Sequence, residues 1–368
     1  MARVIVLVGG GTMGPIVPLL ALYKKLSARH PQAKFVWVGT PDGPERQPIE
    51  ALGVSFVTLP VAKFPRYFSL RLFTWPWDYY RARQVARIFL DKWKPDIVIG
   101  AGGYTQVPLM RSASQRGIPC AIHQLDFVPL LSNKLVAKHC ALITTSFVYH
   151  RRLMTVPSFK YSEKTPIQET PIATPNRFAD AGLPERAKAV EYFGLEGNLP
   201  IVLFTGGGTG SRNLNAVVEK NLDKWLTKVQ IIQTTGHGRD LGTPERPGYV
   251  KREFMDADEM LLAYMAADVV VSRAGMGAIT DLATLSKASI LVPMKNSPQE
   301  KNVRHLGLSV IGINESTTLF DDLYQNIIHL INHPEERIRL GSEIHNQVRT
   351  DDGSMWADLI DRLLPEDE

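Results

Sequence analysis

Cysteine is almost missing from this 368-residue sequence, with Cys120 and Cys140 its only two. Two thiols cannot build a disulfide framework, and neither lies in a CxxC or zinc-type spacing, so a reducing compartment is expected. Uninterrupted apolar runs are also lacking. The one charge-free stretch of membrane-spanning length, residues 4–23, contains Gly9, Gly10, Gly11, Pro15 and Pro18, which interrupt any helix. Its apolar run ends in glycines rather than in a small-residue cleavage site, so neither a transmembrane span nor a signal peptide is expected. A soluble or peripheral protein is the expectation. Charge of one sign is in small excess: 42 Lys and Arg against 37 Asp and Glu, a net +5. That excess does not argue for nucleic acid, although it permits an anionic partner.

Hydrophobic residues make up 44% and charged residues 21%, the balance of a globular chain. At roughly 100–200 residues per domain the length suits two. The first half alternates short β-rich runs (3–8, 34–38, 96–100, 119–123) with helical periods (16–28, 83–92, 112–116), which signals a parallel sheet with crossovers. Residues 155–200 break that rhythm with Pro157, Pro166, Pro171, Pro175, Pro184 and Pro200, and predict a linker holding one short helix at 185–192. The second half then repeats the grammar. Strands are expected at 201–204, 229–233, 269–272 and 289–292, helices at 211–226, 259–266 and 278–285, and a helical end over 321–364. The expected class is α/β, with two Rossmann-like doubly wound domains over 1–165 and 166–345. Residues 346–368 are expected as a C-terminal helix packing back on the first domain.

Each half opens with strand, glycine turn and helix: Gly9-Gly10-Gly11-Thr12-Met13-Gly14, and Gly206-Gly207-Gly208-Thr209-Gly210 after Thr205. Glycines let backbone approach a phosphate, and a helix N-terminus supplies free N–H groups and a positive dipole end. A dinucleotide reading needs an acid at the end of the second strand. Here that strand ends in Val38-Gly39-Thr40, with Asp42 beyond Pro41. Neither loop is followed by Lys-Ser/Thr in Walker spacing, so a P-loop NTPase is not expected. Two such loops suit a diphosphate held between the domains; a tight turn packing helix on sheet is the plainer alternative.

At this point the residues become specific. Gly10-Gly11-Thr12-Met13-Gly14 with Pro18, Lys94-Pro95-Asp96 leading to Gly102-Gly103-Tyr104 and Pro108, and Ile118-Pro119 leading to His123-Gln124-Leu125-Asp126 and Ser132-Asn133-Lys134 form one ordered set. The set continues through residues 206–215, Glu253-Phe254-Met255, Ala267-Asp268, residues 273–281, Pro293 and Gln299-Glu300-Lys301-Asn302. In it the chain resembles the MurG family, the UDP-N-acetylglucosamine transferases of bacterial peptidoglycan synthesis that convert lipid I to lipid II.

The resemblance implies a GT-B fold with the site in the interdomain cleft and an inverting hexosyl transfer without metal or cofactor. It also implies a peripheral place on the cytoplasmic face of the membrane. The first domain would face acceptor and membrane, and the second would bind the UDP-sugar. Thr12, Met13 and Gly14 would lie beside the donor and acceptor phosphates, with Gly208 in the second loop. Met255 would pack at the uracil. Met276, Gly277, Ala278, Ile279, Thr280 and Asp281 would hold the donor diphosphate, with Asp281 accepting from the ribose hydroxyls on a shorter arm than the family's Glu. Gln299 and Asn302 would read the sugar hydroxyls. The chain departs from the family at Pro15, where a His is usual, at Ala173, aligned with a phosphate-binding Arg, and in the His-Glu-Gln-Asn segment, of which only His123 remains. His123 and Asp126 are therefore the candidate bases, Asp126 also counting among the donor contacts. The departures leave two alternatives open: a related GT-B transferase with another donor or lipid acceptor, and a non-catalytic nucleotide-sugar-binding relative.

Residues 63–77 interleave Lys63, Arg66 and Arg71 with aromatic rings. Such a stretch can sit at an anionic headgroup layer, with Phe68, Phe73 and Trp75 as membrane-facing rings; an aromatic loop packed on the core is the alternative. The expected partners are UDP-N-acetylglucosamine, a polyprenyl-pyrophosphate-linked acceptor and an anionic membrane surface, and no nucleic acid.

Overall fold

The structure is a computed structural model that describes residues 2–43, 45–60, 71–147 and 168–365, with backbone alone at 71–73 and 168–169. The chain forms two compact units, Met1–Pro175 with Asp351–Glu368, and Asn176–Thr350.

The first unit runs β1 (Val4–Val8), α1 (Ile16–Arg29), β2 (Lys34–Gly39), α2 (Arg46–Ala51), β3 (Ser55–Thr58), α3 (Arg71–Trp93), β4 (Ile97–Gly100), α4 (Gln106–Ser114), β5 (Cys120–Gln124), α5 (Leu131–Val136), β6 (Leu142–Thr145), β7 (Gln168–Pro171) and β8 (Thr174–Pro175). The first seven strands form one sheet in the order β3-β2-β1-β4-β5-β6-β7, paired in parallel. Successive side chains of a strand point to opposite faces, and β1 divides its residues accordingly. Ile5 and Leu7 pack with α1 and Trp37, while Val6 and Val8 pack with Phe89 and Leu90 of α3 and with Leu109 and Met110 of α4.

The second unit contains α6 (Arg186–Tyr192), β9 (Ile201–Thr205), α7 (Arg212–Glu219), α8 (Leu222–Leu226), β10 (Gln230–Thr234), β11 (Tyr249–Arg252), α9 (Ala257–Ala266), β12 (Val269–Ser272), α10 (Met276–Thr284), β13 (Ser289–Leu291), α11 (Pro298–Leu306), β14 (Ile311–Gly312), α12 (Leu319–Asn332) and α13 (Pro334–Gln347). Its parallel sheet has the order β11-β10-β9-β12-β13-β14. The chain closes with β15 (Thr350–Asp351) and α14 (Ser354–Asp361). Trp356, Ala357 and Ile360 of α14 are fully buried in the core that α1 and β1 build.

The two units share a device. Asp96, just before β4, accepts the backbone N–H of Val4 at 2.7 Å, and Asp268, just before β12, accepts that of Ile201 at 2.9 Å. Each carboxylate satisfies a donor at the start of a central strand that no neighbouring strand pairs. The Asp of both motifs is thus a fold residue, and a charge-assisted bond of this kind is worth about 1.5–3 kcal/mol.

Among the expectations that change are three about helices. The helix expected at 83–92 begins at Arg71, so its aromatic first half is helix rather than loop. The helix expected at 211–226 is two, α7 and α8. The helical end is broken between α13 and α14, where Gly353 turns the chain at φ +91°.

Candidate active site

In a doubly wound sheet, ligands bind outside the carboxyl ends of the strands where the strand order reverses. That point lies between β1 and β4 in the first unit and between β9 and β12 in the second. Both glycine loops occupy it.

The first loop is built around a carboxylate of the chain itself. Glu45 is wholly buried. Its Oε2 accepts the Gly11 N–H at 3.1 Å, and its Oε1 accepts the Thr40 N–H at 2.7 Å and the Thr40 hydroxyl at 2.6 Å. A Cβ at Gly10 or Gly43 would lie 2.2 or 2.0 Å from those oxygens, so glycine at both positions makes the room. A side-chain carboxyl of the chain therefore already occupies the Gly11 end of the loop, and Thr12, Met13 and Gly14 form its outer tip, with Thr12 exposed. Gly103, after β4, closes against this loop with φ +90°; a Cβ there would stand 3.1 Å from the Gly10 carbonyl oxygen. Pro15 is buried at the N-cap of α1.

His123 is not a usable base. It is wholly buried, with Nδ1 bonded to Thr144 Oγ1 and Nε2 to Ser146 Oγ, both at 3.0 Å, and its ring lies 5.0 Å from that of Trp356. Burial pushes its pKa down to about 3. Such an imidazole has little proton affinity near neutrality and no path to an acceptor hydroxyl. It has a consequence for stability instead. The unfolded chain takes up this proton below about pH 6.5, whereas folded His123 does so only near pH 3. The contribution is therefore complete above pH 6.5 and is lost as the pH falls toward 3. Denaturant titrations between pH 7 and 4 should show a steeper loss in the parent than in His123→Gln; equal slopes would refute this.

Asp126, in the turn after β5, is half-buried, and its carbonyl accepts the Gln124 amide at 2.7 Å. The structure places this second candidate base at the strand ends.

In the second unit the expected donor residues gather on the loops that follow β9, β11, β12 and β13. Gly208 is half-buried at the tip of its loop. Gly210, behind it, has φ +70° and would place a Cβ 2.1 Å from the Thr235 carbonyl oxygen, so the loop packs backbone against backbone. Met255 is 6% exposed after β11. Gly275 caps α10, and the first N–H groups of that helix, at Met276, Gly277 and Ala278, point out of its N-terminus with no intrahelical acceptor. Gln299 leans toward the same cap: a Cβ at Gly275 would be 3.9 Å from its Nε2, while its Oε1 accepts the Met294 N–H at 2.9 Å.

Other members of the expected set serve the fold. Ile279 and Thr280 are buried, and Thr280 Oγ1 accepts from Asn176 Nδ2 at 3.3 Å. Asn302, 1% exposed, donates to the Ala274 carbonyl at 3.0 Å and so fastens α11 to the entry of α10. Asp281 is 3% exposed, with Oδ1 accepting from Asn176 Nδ2 at 2.8 Å and Oδ2 from Arg177 Nη2 at 3.0 Å. Burial raises its pKa, while Arg177 and Asn176 pull it down. The ribose contact implied by the resemblance is not what this geometry presents. The arm of Asp, one methylene shorter than Glu, keeps the carboxylate against the chain where the second unit begins. Arg177 is the residue that sequence reasoning missed: its guanidinium pairs with the Asp281 carboxylate. Neighbouring prolines marked the segment only as a linker.

Phe68 lies outside the described residues, and Phe73 is described only as backbone of α3. Trp75 is half-buried and stacks on Tyr79 at 5.4 Å between ring centroids. The ring standing in solvent is Trp77, 60% exposed, stacked on Tyr80 at 5.9 Å and covered by the Arg81 guanidinium at 5.7 Å. Among the described residues no helix is long and apolar enough to cross a membrane.

Comparison with known proteins agrees with this arrangement. Residues 5–145 match the glycosyltransferase family 28 N-terminal domain, and residues 201–350 match its C-terminal domain. Among solved structures, Acinetobacter baumannii MurG superposes with a TM-score of 0.68 at 20% identity, covering 98% of this chain and 99% of that one. The Streptomyces sp. SF2575 glycosyltransferase SsfS6, complexed with thymidine diphosphate, superposes at 0.65 with 16% identity, over 98% and 99%. The fold is that of the GT-B glycosyltransferases. A Clostridium botulinum UDP-N-acetylglucosamine–N-acetylmuramyl-(pentapeptide) pyrophosphoryl-undecaprenol N-acetylglucosamine transferase is 33% identical over 291 residues, 79% of this chain and 78% of its own. The protein of the same name from Lachnoclostridium phytofermentans is 30% identical over 342 residues, covering 91% of this chain and 92% of its own. With both glycine loops at the switch points and that identity running through nearly the whole chain, the protein belongs to the family of UDP-N-acetylglucosamine–N-acetylmuramyl-(pentapeptide) pyrophosphoryl-undecaprenol N-acetylglucosamine transferases, the MurG family.

Proposed function

We propose that this chain transfers N-acetylglucosamine from UDP-N-acetylglucosamine to lipid I, giving lipid II for peptidoglycan synthesis. The observation that carries this is the 30% identity over 91% of the chain, and the site geometry supports it. The second unit takes the donor. The free N–H groups at the start of α10 receive the diphosphate, the 206–210 loop lies beside it, Met255 and its backbone meet the uracil, and Gln299 reads the sugar. The first unit takes the acceptor at Thr12, Met13 and Gly14. An acceptor hydroxyl oxygen attacks the anomeric carbon as the bond from that carbon to the UDP oxygen breaks, with inversion. Asp126 takes the hydroxyl proton, and the helix N-terminus stabilises the charge that grows on UDP. Purified protein given UDP-N-acetylglucosamine and a lipid I analogue should release UDP stoichiometrically with disaccharide. Donor binding without release would favour a non-catalytic relative.

The acceptor keeps its polyprenyl tail in the bilayer, so the enzyme works at a membrane surface on the cytoplasmic side. The exposed part of α3 suits that surface: Trp77 and Tyr80 offer rings for the interface, and Arg81 a cation for anionic headgroups. Trp77→Ser removes at most roughly 1.5–3 kcal/mol of apolar burial, or about one to two decades of binding. Sedimentation with anionic vesicles should fall in Trp77→Ser more than in Trp75→Ser, with UDP affinity unchanged. Equal sedimentation of Trp77→Ser and parent would take this helix off the membrane.

A further inference from the structure

Three side-chain amides run in single file beneath the strand ends of the first unit. Gln106, Asn133 and Gln124 are all wholly buried. The Gly102 N–H donates to Gln106 Oε1 at 3.0 Å, Gln106 Nε2 to Asn133 Oδ1 at 2.6 Å, Asn133 Nδ2 to Gln124 Oε1 at 2.7 Å, and Gln124 Nε2 to the Asp126 carbonyl at 2.7 Å. The ends of this chain are backbone groups of fixed polarity. Gly102 N–H can only donate and the Asp126 carbonyl can only accept, so every amide between them has one permitted orientation. A buried chain with no free choice of direction is stiff, because turning any member leaves two or more buried groups unpaired. It ties the glycine turn after β4 to α5 and to the turn that carries Asp126. It also explains the departure at 124. The family's Glu, as a carboxylate, has no hydrogen to give the Asp126 carbonyl, whereas Gln124 does.

The geometry points to Gln106, Asn133 and Gln124 as positioning residues that hold the Asp126 turn in register with the Gly102 turn. This rests on Asp126 as the base. None of the three needs to touch substrate; they act through the backbone of Asp126. Gln124→Met keeps the length of the side chain and removes its hydrogen bonds, including the longer ones to the Val128 carbonyl and from the Leu130 N–H, both at 3.4 Å.

In the full-length protein, with UDP-N-acetylglucosamine and a lipid I analogue, this change should lower kcat about 10²-fold, as for a reacting group displaced by about an ångström. KM for the donor and UDP affinity should stay near parental values, since Gly208, Met255, Gln299 and the start of α10, which are proposed to hold the UDP-sugar, lie in the other unit. In an Asp126→Asn background the same substitution should cost nothing further. Parental kcat in folded Gln124→Met, with Asp126→Asn impaired, would overturn the positioning role and leave the base in place. A further full loss in the double variant would also overturn it. Parental kcat in Asp126→Asn would remove the base, and the positioning role with it. Should Gln124→Met fail to fold, Gln106→Met opens the chain at its far end and is read in the same way, including in the Asp126→Asn background.

Discussion

Asp126→Asn should lower kcat about 10²–10⁴-fold, the usual loss when general-base help is removed, and leave donor binding untouched. The substitution keeps the shape and the backbone carbonyl that Gln124 holds, and removes the basicity of the carboxylate. His123→Gln should behave oppositely, losing stability at neutral pH while the folded fraction keeps its turnover, because His123 is sealed between Thr144, Ser146 and Trp356. Saturating donor is needed in both assays, since a base acts on turnover. Parental kcat in Asp126→Asn, or a thousandfold loss confined to folded His123→Gln, would reverse the assignment. Pro15 sharpens the test. It has neither an ionisable group nor a backbone N–H, so the residue that stands where the family carries His cannot serve as base in place of Asp126.

Asp281→Ala should unfold the second unit readily, at a cost of about 3–5 kcal/mol, because it strands the Arg177 guanidinium beside a buried void. Replacing both partners should be far milder. In Asp281→Leu with Arg177→Met the desolvation of both charges disappears together, and a buried pair exchanged for apolar groups of similar volume is often close to neutral. Chemical denaturation of the two single variants and the double variant completes the cycle. A mild Asp281→Ala, within about 1 kcal/mol of parent, would mean that the pair does not hold α10 in place. UDP affinity measured on the folded double variant then separates the roles: unchanged affinity makes Asp281 a fold residue, and a loss of a decade or more returns it to the donor.

These two residues mark where sequence reading works and where it stops. Strand, glycine turn and helix were readable in both halves because hydrophobic period and turn chemistry are local. So were the loops at both switch points, since glycine spacing and strand order follow from the same runs. The burial of His123 was not readable, because Trp356, which packs on its ring, lies more than two hundred positions further along the chain. The same holds for Asp281, whose partners Asn176 and Arg177 sit in a proline-rich stretch that reads as linker. The start of α3 was hidden for a local reason: Phe73, Trp75, Pro76 and Trp77 are poor helix formers, and Pro76 nonetheless stands inside the helix. The amide file was hidden because a Gln or an Asn reads alike whether it faces water or another amide.

The C-terminal helix has a consequence for the order in which the protein is made. Synthesis delivers Met1–Pro175, then all of Asn176–Thr350, and only then the segment that belongs with the first unit. Trp356, Ala357, Ile360 and Leu364 fill the same core as Ile5, Leu7 and Trp37, so the first unit waits with that face open while the second is completed. Domains fold as units during translation, usually from the N-terminus; here the later unit can finish first. A nascent chain arrested just after residue 350 should therefore carry a protease-resistant second unit beside a first unit that is still cleavable, and release of the last eighteen residues should close it.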